Sequence, residues 1–442
     1  MPKRNPFKRL RGLALRLYGR TAERVRKFTR QTDEVLTEEP IDFSAPSIPY
    51  YENLANRLGL VRVILYMALL VFVVVTVVCN HRLITYENLY YLAKDIGSAT
   101  LTAQSQADRI SYPISSGGSD FSLYRGGVVI AGCEVVTAAS GSGRQTLSEN
   151  VAYADPCVRA SDKYYLTFGR GETSFNVYNS FVRVYREITE FPVYEAAVGD
   201  NGSFAVVTRS RDYTSEVVIY DGDMEKLANY HLNGYVTGIS MNRKGDCLGI
   251  VSVESVDGIW ETKVTLIRVA RKISAETVTL TGSLGSSCGC ITEDRFAVVC
   301  RDRLMILDTD ATVKGEAIFE GTTPVLCAVG DGRVALLFKA DTDMSEYRLD
   351  VLDRAAKVVY SVSSEGALPA QALGDAAELA LGGDILYIRT ADTLYRLSND
   401  GRTVTCASIS RDTSTILATE DEVLVCTPAY ASRLTEEDFA AP

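Results

Sequence analysis

Short apolar runs preceded by turn residues recur along the chain between residues 160 and 430. The turns fall at positions 162, 202, 245, 294, 332, 383 and 421, and each leads into a run such as SFAVVT at 203–208. After every run except the last, apolar and polar residues alternate, as they do in half-buried β-strands. The pattern predicts a strand-rich unit that repeats about every 43 residues.

Each unit contains four predicted strands, because a third strand follows the alternating segment and a fourth precedes the next turn. Four strands in a unit of this length form one blade of a β-propeller, and the length is WD40-like although no strand ends in Trp-Asp. Seven turns predict an all-β, seven-bladed β-propeller over residues 118–430. Two packed β-sandwiches are the alternative, but they do not explain the regular spacing.

The last unit holds only two predicted strands, whereas the strand-rich segment 120–148 precedes the first turn without a partner. We expect this segment to complete the last blade, because ring closure removes exposed sheet edges that would invite aggregation. An eighth blade results instead if residues 120–150 build a blade of their own.

Residues 60–79 are almost entirely apolar, and no charge occurs from Val63 to Cys79. At about 1.5 Å per helical residue, the stretch matches the roughly 30 Å hydrocarbon core of a bilayer. A buried core helix would keep a polar side, and a signal peptide would not follow some sixty other residues. The stretch therefore predicts one transmembrane helix.

Charge is divided unevenly around this stretch. Residues 1–30 contain eleven Lys or Arg and one Glu, whereas residues 80–442 contain 33 basic and 49 acidic residues. By the positive-inside rule, the N-terminus is cytoplasmic and the acidic body is extracytoplasmic. We therefore expect a single-pass protein of the cell membrane. The net charge of −10 argues against nucleic acid as a partner of the whole chain.

The arm at residues 1–30 has apolar residues at three- and four-residue steps with basic residues between them, which predicts a basic amphipathic helix. Such a helix lies on the anionic inner leaflet, so membrane lipid is a predicted partner. A solvated flank that only sets the topology is an equal alternative. The candidate membrane-surface residues are Arg9, Arg11, Arg16, Arg20, Arg24 and Lys27.

Three further segments complete the predicted organisation. Residues 31–59 form an acidic, proline-containing linker that leads into a helix before the membrane. Residues 80–117 predict an extracytoplasmic stalk and a Pro/Gly/Ser hinge, and residues 431–442 predict a polar tail.

The sequence contains no P-loop and no zinc-protease motif, and its only histidines are His81 and His231. Residues 139–143 lack the first glycine of a nucleophile elbow. Turns such as 200–202 lack the oxygen spacing of a calcium loop and are better explained as tight turns between strands. We therefore predict no catalytic residue, no cofactor and no metal ligand.

Nine cysteines follow the apolar stretch, an odd number, so at least one is unpaired. Most lie in apolar runs, where a cysteine acts as a small apolar side chain, and Cys288 and Cys290 do not form a C-x-x-C pair. Reduced structural cysteines are favoured over disulfides, and both are favoured over a metal site.

Aromatic residues crowd the first two units. They are Tyr164, Tyr165, Tyr178, Phe181, Tyr185, Phe191 and Tyr194. A place in the core is the favoured interpretation, and an exposed rim that binds protein or glycan is the alternative.

Three segments carry a resemblance to a known family: TYENLYY at 85–91, GDNGSFAVV at 199–207 and ISMNRKGD at 239–246. With the basic N-terminus and the apolar stretch, they resemble an uncharacterised family of membrane-anchored β-propeller proteins from Gram-positive, mostly anaerobic bacteria. The resemblance covers roughly residues 60–430. It implies the architecture and topology above and assigns no activity.

The leading hypothesis is a membrane-anchored extracytoplasmic propeller that binds a protein or a cell-envelope ligand and is not an enzyme. One alternative is an extracytoplasmic enzyme that acts on cell-wall glycan or peptide, for which paired carboxylates should converge at the central channel. Another is a structural subunit of a membrane complex whose cytoplasmic arm docks a partner.

Overall fold

The computed structural model describes residues 58–59, 61–72, 108–114, 117–270, 273–340, 346–363 and 368–441. The chain divides into two compact units, residues 1–90 and 91–442. In the first unit, residues 58–59 and 61–72 are helical. Every large apolar side chain from Val61 to Phe72 is more than half exposed.

The transmembrane helix predicted at 60–79 is not borne out by the part of the chain that the structure describes. Leu60 and residues 73–79 lie outside that part, and none of its helices combines the length and the apolar character needed to cross a membrane. The predicted arm at 1–30, most of the linker and most of the stalk also lie outside the described residues.

In its described residues, the second unit contains thirty-two strands and two short helices. It begins with β1 (Arg109–Ser111). Blade 1 is β2 (Ser119–Tyr124), β3 (Gly127–Gly132), β4 (Val135–Ala139) and β5 (Gln145–Asn150). Blade 2 is β6 (Pro156–Ala160), β7 (Tyr165–Gly169), β8 (Ser174–Tyr178) and β9 (Arg183–Ile188). Blade 3 is β10 (Val193–Val198), β11 (Phe204–Thr208), β12 (Ser215–Tyr220) and β13 (Lys226–Leu232).

The second half of the ring continues in the same order. Blade 4 is β14 (Tyr235–Met241), β15 (Cys247–Val256), β16 (Ile259–Arg268) and β17 (Ser274–Thr281). Blade 5 is β18 (Gly285–Thr292), β19 (Arg295–Cys300), β20 (Arg303–Asp308) and β21 (Val313–Ile318). Blade 6 is β22 (Thr322–Gly330), β23 (Arg333–Ala340), β24 (Tyr347–Asp353) and β25 (Val358–Ser363).

The short helix Ala370–Gly374 precedes blade 7. Blade 7 is β26 (Glu378–Gly382), β27 (Ile385–Arg389), β28 (Thr393–Leu397) and β29 (Val404–Ser408). Blade 8 is β30 (Thr415–Ala418), β31 (Glu422–Cys426) and β32 (Tyr430–Thr435), with β1 as its fourth strand. A 3-10 turn, Glu436–Asp438, follows.

The strands form eight antiparallel sheets of four, and each innermost strand contacts the innermost strands of both neighbouring blades. The second unit is therefore a closed eight-bladed β-propeller. The predicted all-β propeller is confirmed, and the predicted number of seven blades is wrong.

Ring closure is supplied by β1, which pairs antiparallel with β32 from Arg109 opposite Ser432 to Ser111 opposite Tyr430. The expectation that residues 120–148 complete the last blade is also wrong. They form blade 1 by themselves, because the segment already holds four strand runs separated by turns and pairs them locally.

Apolar side chains pack between neighbouring blades and form the core. Tyr165 and Tyr178 are fully buried and stack with ring centroids 5.1 Å apart, and Phe204 and Tyr220 stack at 4.3 Å. The core interpretation of the aromatic cluster is confirmed for Tyr165 and Tyr178, whereas Tyr194 is 39% exposed.

Aspartates at the ends of third strands shape the turns that follow. Asp221, Asp308 and Asp353 each accept backbone N–H groups from the residues two and four positions later. The residue three positions after each has a positive φ; these are Met224, Ala311 and Ala356. The carboxylates are thus occupied in forming tight turns.

Candidate protein-binding surface

The two faces of the propeller are built from different connections. Turns that join first to second and third to fourth strands lie on one face, which we call the turn face. Turns between second and third strands and the loops between blades lie on the other, the loop face. Asp108 accepts the N–H of Arg433 and Ser111 pairs with Tyr430, so β1 enters from the turn-face side.

Hydrogen bonds and ion pairs link different blades on the turn face. Asp200 accepts the N–H of Asp162 at 2.7 Å and donates its own N–H to the carbonyl of Arg243 at 2.9 Å. The Arg243 guanidinium lies 3.4 Å from Asp162 of blade 2 and 3.9 Å from Asp331 of blade 6. Because blades 2 and 6 lie on opposite sides of the ring, Arg243 lies across the central opening of this face.

A cleft of about 510 Å³ opens on the turn face between blades 4 and 5. Its lining residues are Lys244, Asp246, Cys247, Arg268, Glu293, Asp294 and Thr309. Both cations are paired, Lys244 with Glu293 at 2.5 Å and Arg268 with Asp310. Burial raises the pKa of the Cys247 thiol to about 12, so this thiol is protonated at neutral pH and is not an activated nucleophile.

The innermost strands, which line the central channel, carry three carboxylates. Glu378 on β26 pairs with Arg389 at 2.8 Å. The other two are Asp120 on β2 and Glu195 on β10. Both bind the Arg159 guanidinium on β6, Asp120 at 3.1 Å and Glu195 at 2.7 Å. A single cation therefore holds both carboxylates and links blades 1, 2 and 3.

The cysteines and acidic residues do not assemble into a metal centre within the described ranges. No group of three His, Cys, Asp or Glu side chains in those ranges has a metal-binding arrangement. No disulfide joins the nine cysteines that the structure describes.

The longest hairpin of the described loop face belongs to blade 4. Its strands β15 and β16 have ten residues each, whereas the second and third strands of the other blades have five to eight. β14 pairs with β15 only as far as Val253, and β17 pairs with β16 only as far as Glu261. Residues 254–260 therefore project beyond both neighbouring strands.

A two-residue turn, Asp257-Gly258, ends the projection. Both residues have positive φ, 51° and 81°, which is the conformation of a type I′ hairpin turn. This turn matches the right-handed twist of the flanking strands, and Asp-Gly is a preferred sequence for it.

Strand geometry decides which way the aromatic residues of this hairpin point. Val264 packs in the apolar cluster between blades 4 and 5, and residues two or four apart on a strand share a side. Trp260 therefore points to the blade 5 side. Tyr235 pairs with Val253, which pairs with Thr262, so Tyr235 points to the same side. Tyr235 is 69% exposed and Trp260 is 55% exposed.

The loop to blade 5 fixes the base of the hairpin. The fully buried hydroxyl of Thr262 donates to the Ser283 carbonyl and accepts the N–H of Gly285, both at 2.8 Å. Gly282 donates its N–H to the Trp260 carbonyl at 2.7 Å. Leu284, which is 40% exposed, is thereby held next to the hairpin. We call Tyr235, Trp260 and Leu284 the Trp260 surface.

The residues predicted from the sequence as a site and the Trp260 surface are different sets. The membrane-surface candidates of the arm lie outside the described residues, and their lipid contact stays a prediction. Nothing in the repeat pattern marks Trp260 as exposed. Two signals nevertheless point to its hairpin: the Asp-Gly pair between two long strand patterns, and the 49-residue interval between the turns at 245 and 294.

Several solved propellers resemble this fold. BamB from Moraxella catarrhalis is 10% identical over 75% of this chain and 99% of that chain, with a TM-score of 0.47. Apo AztD from Citrobacter koseri is 13% identical over 68% and 86%, with a TM-score of 0.47. The WD40 domain of SCAP from fission yeast is 9% identical over 74% and 94%, with a TM-score of 0.49. Likeness at this level carries no argument about function.

No curated protein is significantly similar to this sequence. A family model described as "Family of unknown function (DUF5711)" matches residues 102–434. The match covers most of the chain and extends across the whole ring, from β1 into β32. The chain therefore belongs to this family of unknown function.

Proposed function

We propose that the propeller is a protein-binding scaffold and that a partner protein binds the Trp260 surface. The observation that carries the proposal is the exposure of Trp260 and Tyr235 on the same side of a projecting hairpin with an anchored base. Tryptophan and tyrosine are enriched among the residues that dominate binding energy at protein interfaces. Exposed apolar surface of this kind typically marks an interaction site.

The structure around the Trp260 surface supports the proposal that this surface is a rigid platform for a bound partner. The hairpin rises from a closed ring of eight blades, and the N-terminal connection enters from the turn-face side. A preorganised aromatic surface loses little conformational entropy when a partner binds.

Binding, and not catalysis, is the proposed activity. Burial keeps the Cys247 thiol protonated, and Arg159 holds the Asp120 and Glu195 carboxylates. A scaffold role requires none of these groups to react.

The location proposed for this scaffold is the outer side of the cell membrane. It rests on the sequence, on the apolar stretch 60–79 and the basic N-terminal flank. Protease added to intact protoplasts should degrade the propeller while a cytoplasmic control protein survives. Survival of both would contradict the proposed location.

Photo-crosslinking in cells tests the binding surface. A photoreactive amino acid at position 235 of the full-length protein should crosslink to a partner that mass spectrometry identifies. Trp260→Ala should then weaken binding of the identified partner at least tenfold, the effect expected for a hot-spot residue. Ile318→Ala is the matched control, because Ile318 is 63% exposed on the outer strand of blade 5. Equal binding by Trp260→Ala, Ile318→Ala and the unaltered protein would overturn the proposal.

A further inference from the structure

Most outer strands of the propeller have edges that are protected against pairing with a further strand. Five of the eight pair with the third strand of their blade across a β-bulge; they are β5, β9, β13, β21 and β25. A bulge bends the edge and interrupts its hydrogen-bonding ladder, which protects it against added strands. β1 has no bulge but is only three residues long.

A segment of the chain itself covers one unbulged outer strand. β29 pairs with β28 in unbroken register, and Cys406 on its outer edge exchanges two backbone hydrogen bonds with Ala440, at 2.8 and 2.9 Å. The C-terminal residues thus lie against this edge as an added strand would. The outer edge of a blade in this protein therefore accepts additional chain.

β17 is the remaining unbulged outer strand, and no described strand pairs with its outer edge. All eight of its residues pair in unbroken register, from Ser274 opposite Arg268 to Thr281 opposite Glu261. Its sequence SAETVTLT contains a single charge, Glu276, and no proline. Length, an unbroken ladder without a bulge and low charge favour the binding of another strand at an edge.

The hydrogen bonds available on this edge follow from the register. Gly282 donates its N–H to Trp260, which makes them a hydrogen-bonded pair of the β16–β17 ladder. Hydrogen-bonded and non-bonded pairs alternate in antiparallel sheets, so every second residue of β17 directs its N–H and C=O outward. These residues are Ala275, Thr277, Thr279 and Thr281. The Thr265 and Thr277 hydroxyls lie 3.1 Å apart, in keeping with a close, non-bonded pair.

We propose that the outer edge of β17 binds an extended segment of a partner protein as a fifth strand of blade 4. This inference rests on the proposed scaffold function and names the chemistry of the partner. The outer edge of β17 is continuous with the Trp260 surface. At its loop-face end, β17 leads into Gly282, which is hydrogen-bonded to the Trp260 carbonyl. A segment paired with β17 therefore ends beside the Trp260 surface.

The two sides of β17 define the sequence that fits. Val278 and Leu280 are half-buried and pack against the apolar cluster between blades 4 and 5. Thr277, Thr279 and Thr281 are exposed on the other side. The bound segment should alternate apolar residues with Thr, Ser or Val and contain no proline.

Proline substitutions test the backbone pairing. Thr277→Pro with Thr279→Pro removes two outward N–H groups and leaves the hydrogen bonds to β16 in place. Ile318→Pro is the matched control: Phe319 donates its N–H to Asp302, so the N–H of Ile318 also points outward, but on bulged β21. Circular dichroism and the thermal midpoint report whether each variant folds.

The probe is a library of random nine-residue peptides displayed on phage and selected on the full-length protein. Selected peptides should show the alternating pattern and bind at least tenfold more weakly to the double proline variant, but not to Ile318→Pro. N-methylation of alternate peptide residues should abolish binding, an arm that remains decisive if the proline variant does not fold. Peptides that bind the proline variant normally, or that tolerate N-methylation, would overturn the inference.

Two further outcomes separate this inference from the proposed function. If the partner identified by crosslinking at position 235 binds the proline variant normally but not Trp260→Ala, the edge inference fails and the scaffold proposal stands. If neither variant affects that binding, both fail. A concentration-dependent dimer in analytical ultracentrifugation that the prolines abolish would show that the edge binds a second copy, which also overturns the inference.

Discussion

The hydroxyl of Tyr112 donates a hydrogen bond of 2.5 Å to the carbonyl of Thr427, although the two residues are 315 positions apart. The N–H of Tyr112 also donates to Ala429 at 3.2 Å, and nearby Ile110 on β1 is fully buried. These contacts join the start of the propeller to its last hairpin. Closure of the ring therefore depends on a few residues that precede blade 1.

Ile110→Ala should destabilise the propeller by about 2–4 kcal/mol, because it removes a buried side chain from the closing strand. Tyr112→Phe should cost about 1 kcal/mol through the lost hydrogen bond. Urea unfolding of both variants measures these differences. Ile114→Ala is the control, since Ile114 is 72% exposed and its substitution should change stability by less than about 0.5 kcal/mol. Equal stability of Ile110→Ala and the control would show that β1 does not close the ring.

Arg433 provides a second contact across the closure, because it binds Glu422 within blade 8 and donates to the Gly141 carbonyl of blade 1 at 2.9 Å. Its side chain is only 4% exposed. Arg433→Met should destabilise the protein by about 3 kcal/mol, since it leaves the Glu422 carboxylate, whose side chain is only 12% exposed, without its cation.

Adding Glu422→Gln to Arg433→Met should restore part of that stability, which a double-mutant cycle measures. Arg411→Met is the control, because Arg411 and Asp392 form an exposed pair worth less than about 1 kcal/mol. A double variant as unstable as the sum of the two single variants would contradict the coupling.

Alkaline pH should destabilise the fold through buried thiols. Burial raises the pKa of Cys300 from 9.0 to about 11, so the unfolded chain releases this proton at lower pH than the native protein does. The stabilisation is therefore complete below pH 9 and is lost as the pH rises from 9 to 11, at up to about 1.4 kcal/mol per pH unit. Urea unfolding at several pH values in this range measures the free energy of unfolding. This free energy should fall less steeply with pH in Cys300→Ala than in the unaltered protein. An unchanged dependence of the free energy of unfolding on pH would exclude Cys300 as a cause of the alkaline destabilisation.

Cysteine labelling should discriminate the exposed thiol from the buried ones. Cys327 is exposed, whereas Cys300 and Cys426 are fully buried. Iodoacetamide should modify Cys327 of the native protein first, and the other two only after unfolding, as peptide mass mapping reports. Cys327→Ser should remove the corresponding fast phase. Rapid native labelling of Cys426 would contradict the packing of blade 8.

The sequence predicted the propeller from local signals but missed the number of blades. Blade 1 has the same alternation as the others, yet its turn at Arg125-Gly126 precedes the series that begins at position 162. β1 is three residues long and shows no period of its own. Its pairing with β32 depends on contacts between opposite ends of the propeller, which no local pattern encodes.

The Trp260 surface, too, was predictable from the sequence only in part. The Asp-Gly turn and the long alternating segments around it predict a hairpin, because turn conformation and strand period are properties of neighbouring residues. Composition does not distinguish Tyr235 from Tyr165, although the first is exposed and the second is fully buried. That difference arises because Tyr165 packs against an adjacent blade, whereas Tyr235 lies beside a hairpin that extends beyond its neighbours.

The sequence by itself determined the strands, their antiparallel hairpins and their assembly into blades, because alternation and turn residues act over a few positions. Only the tertiary structure decided that β1 closes the ring, that Trp260 faces water and that none of the described strands pairs with the outer edge of β17. Each of these depends on which groups from distant parts of the chain come to lie beside it. These arrangements are determined by burial and hydrogen bonding in the closed ring, and the local sequence does not predict them.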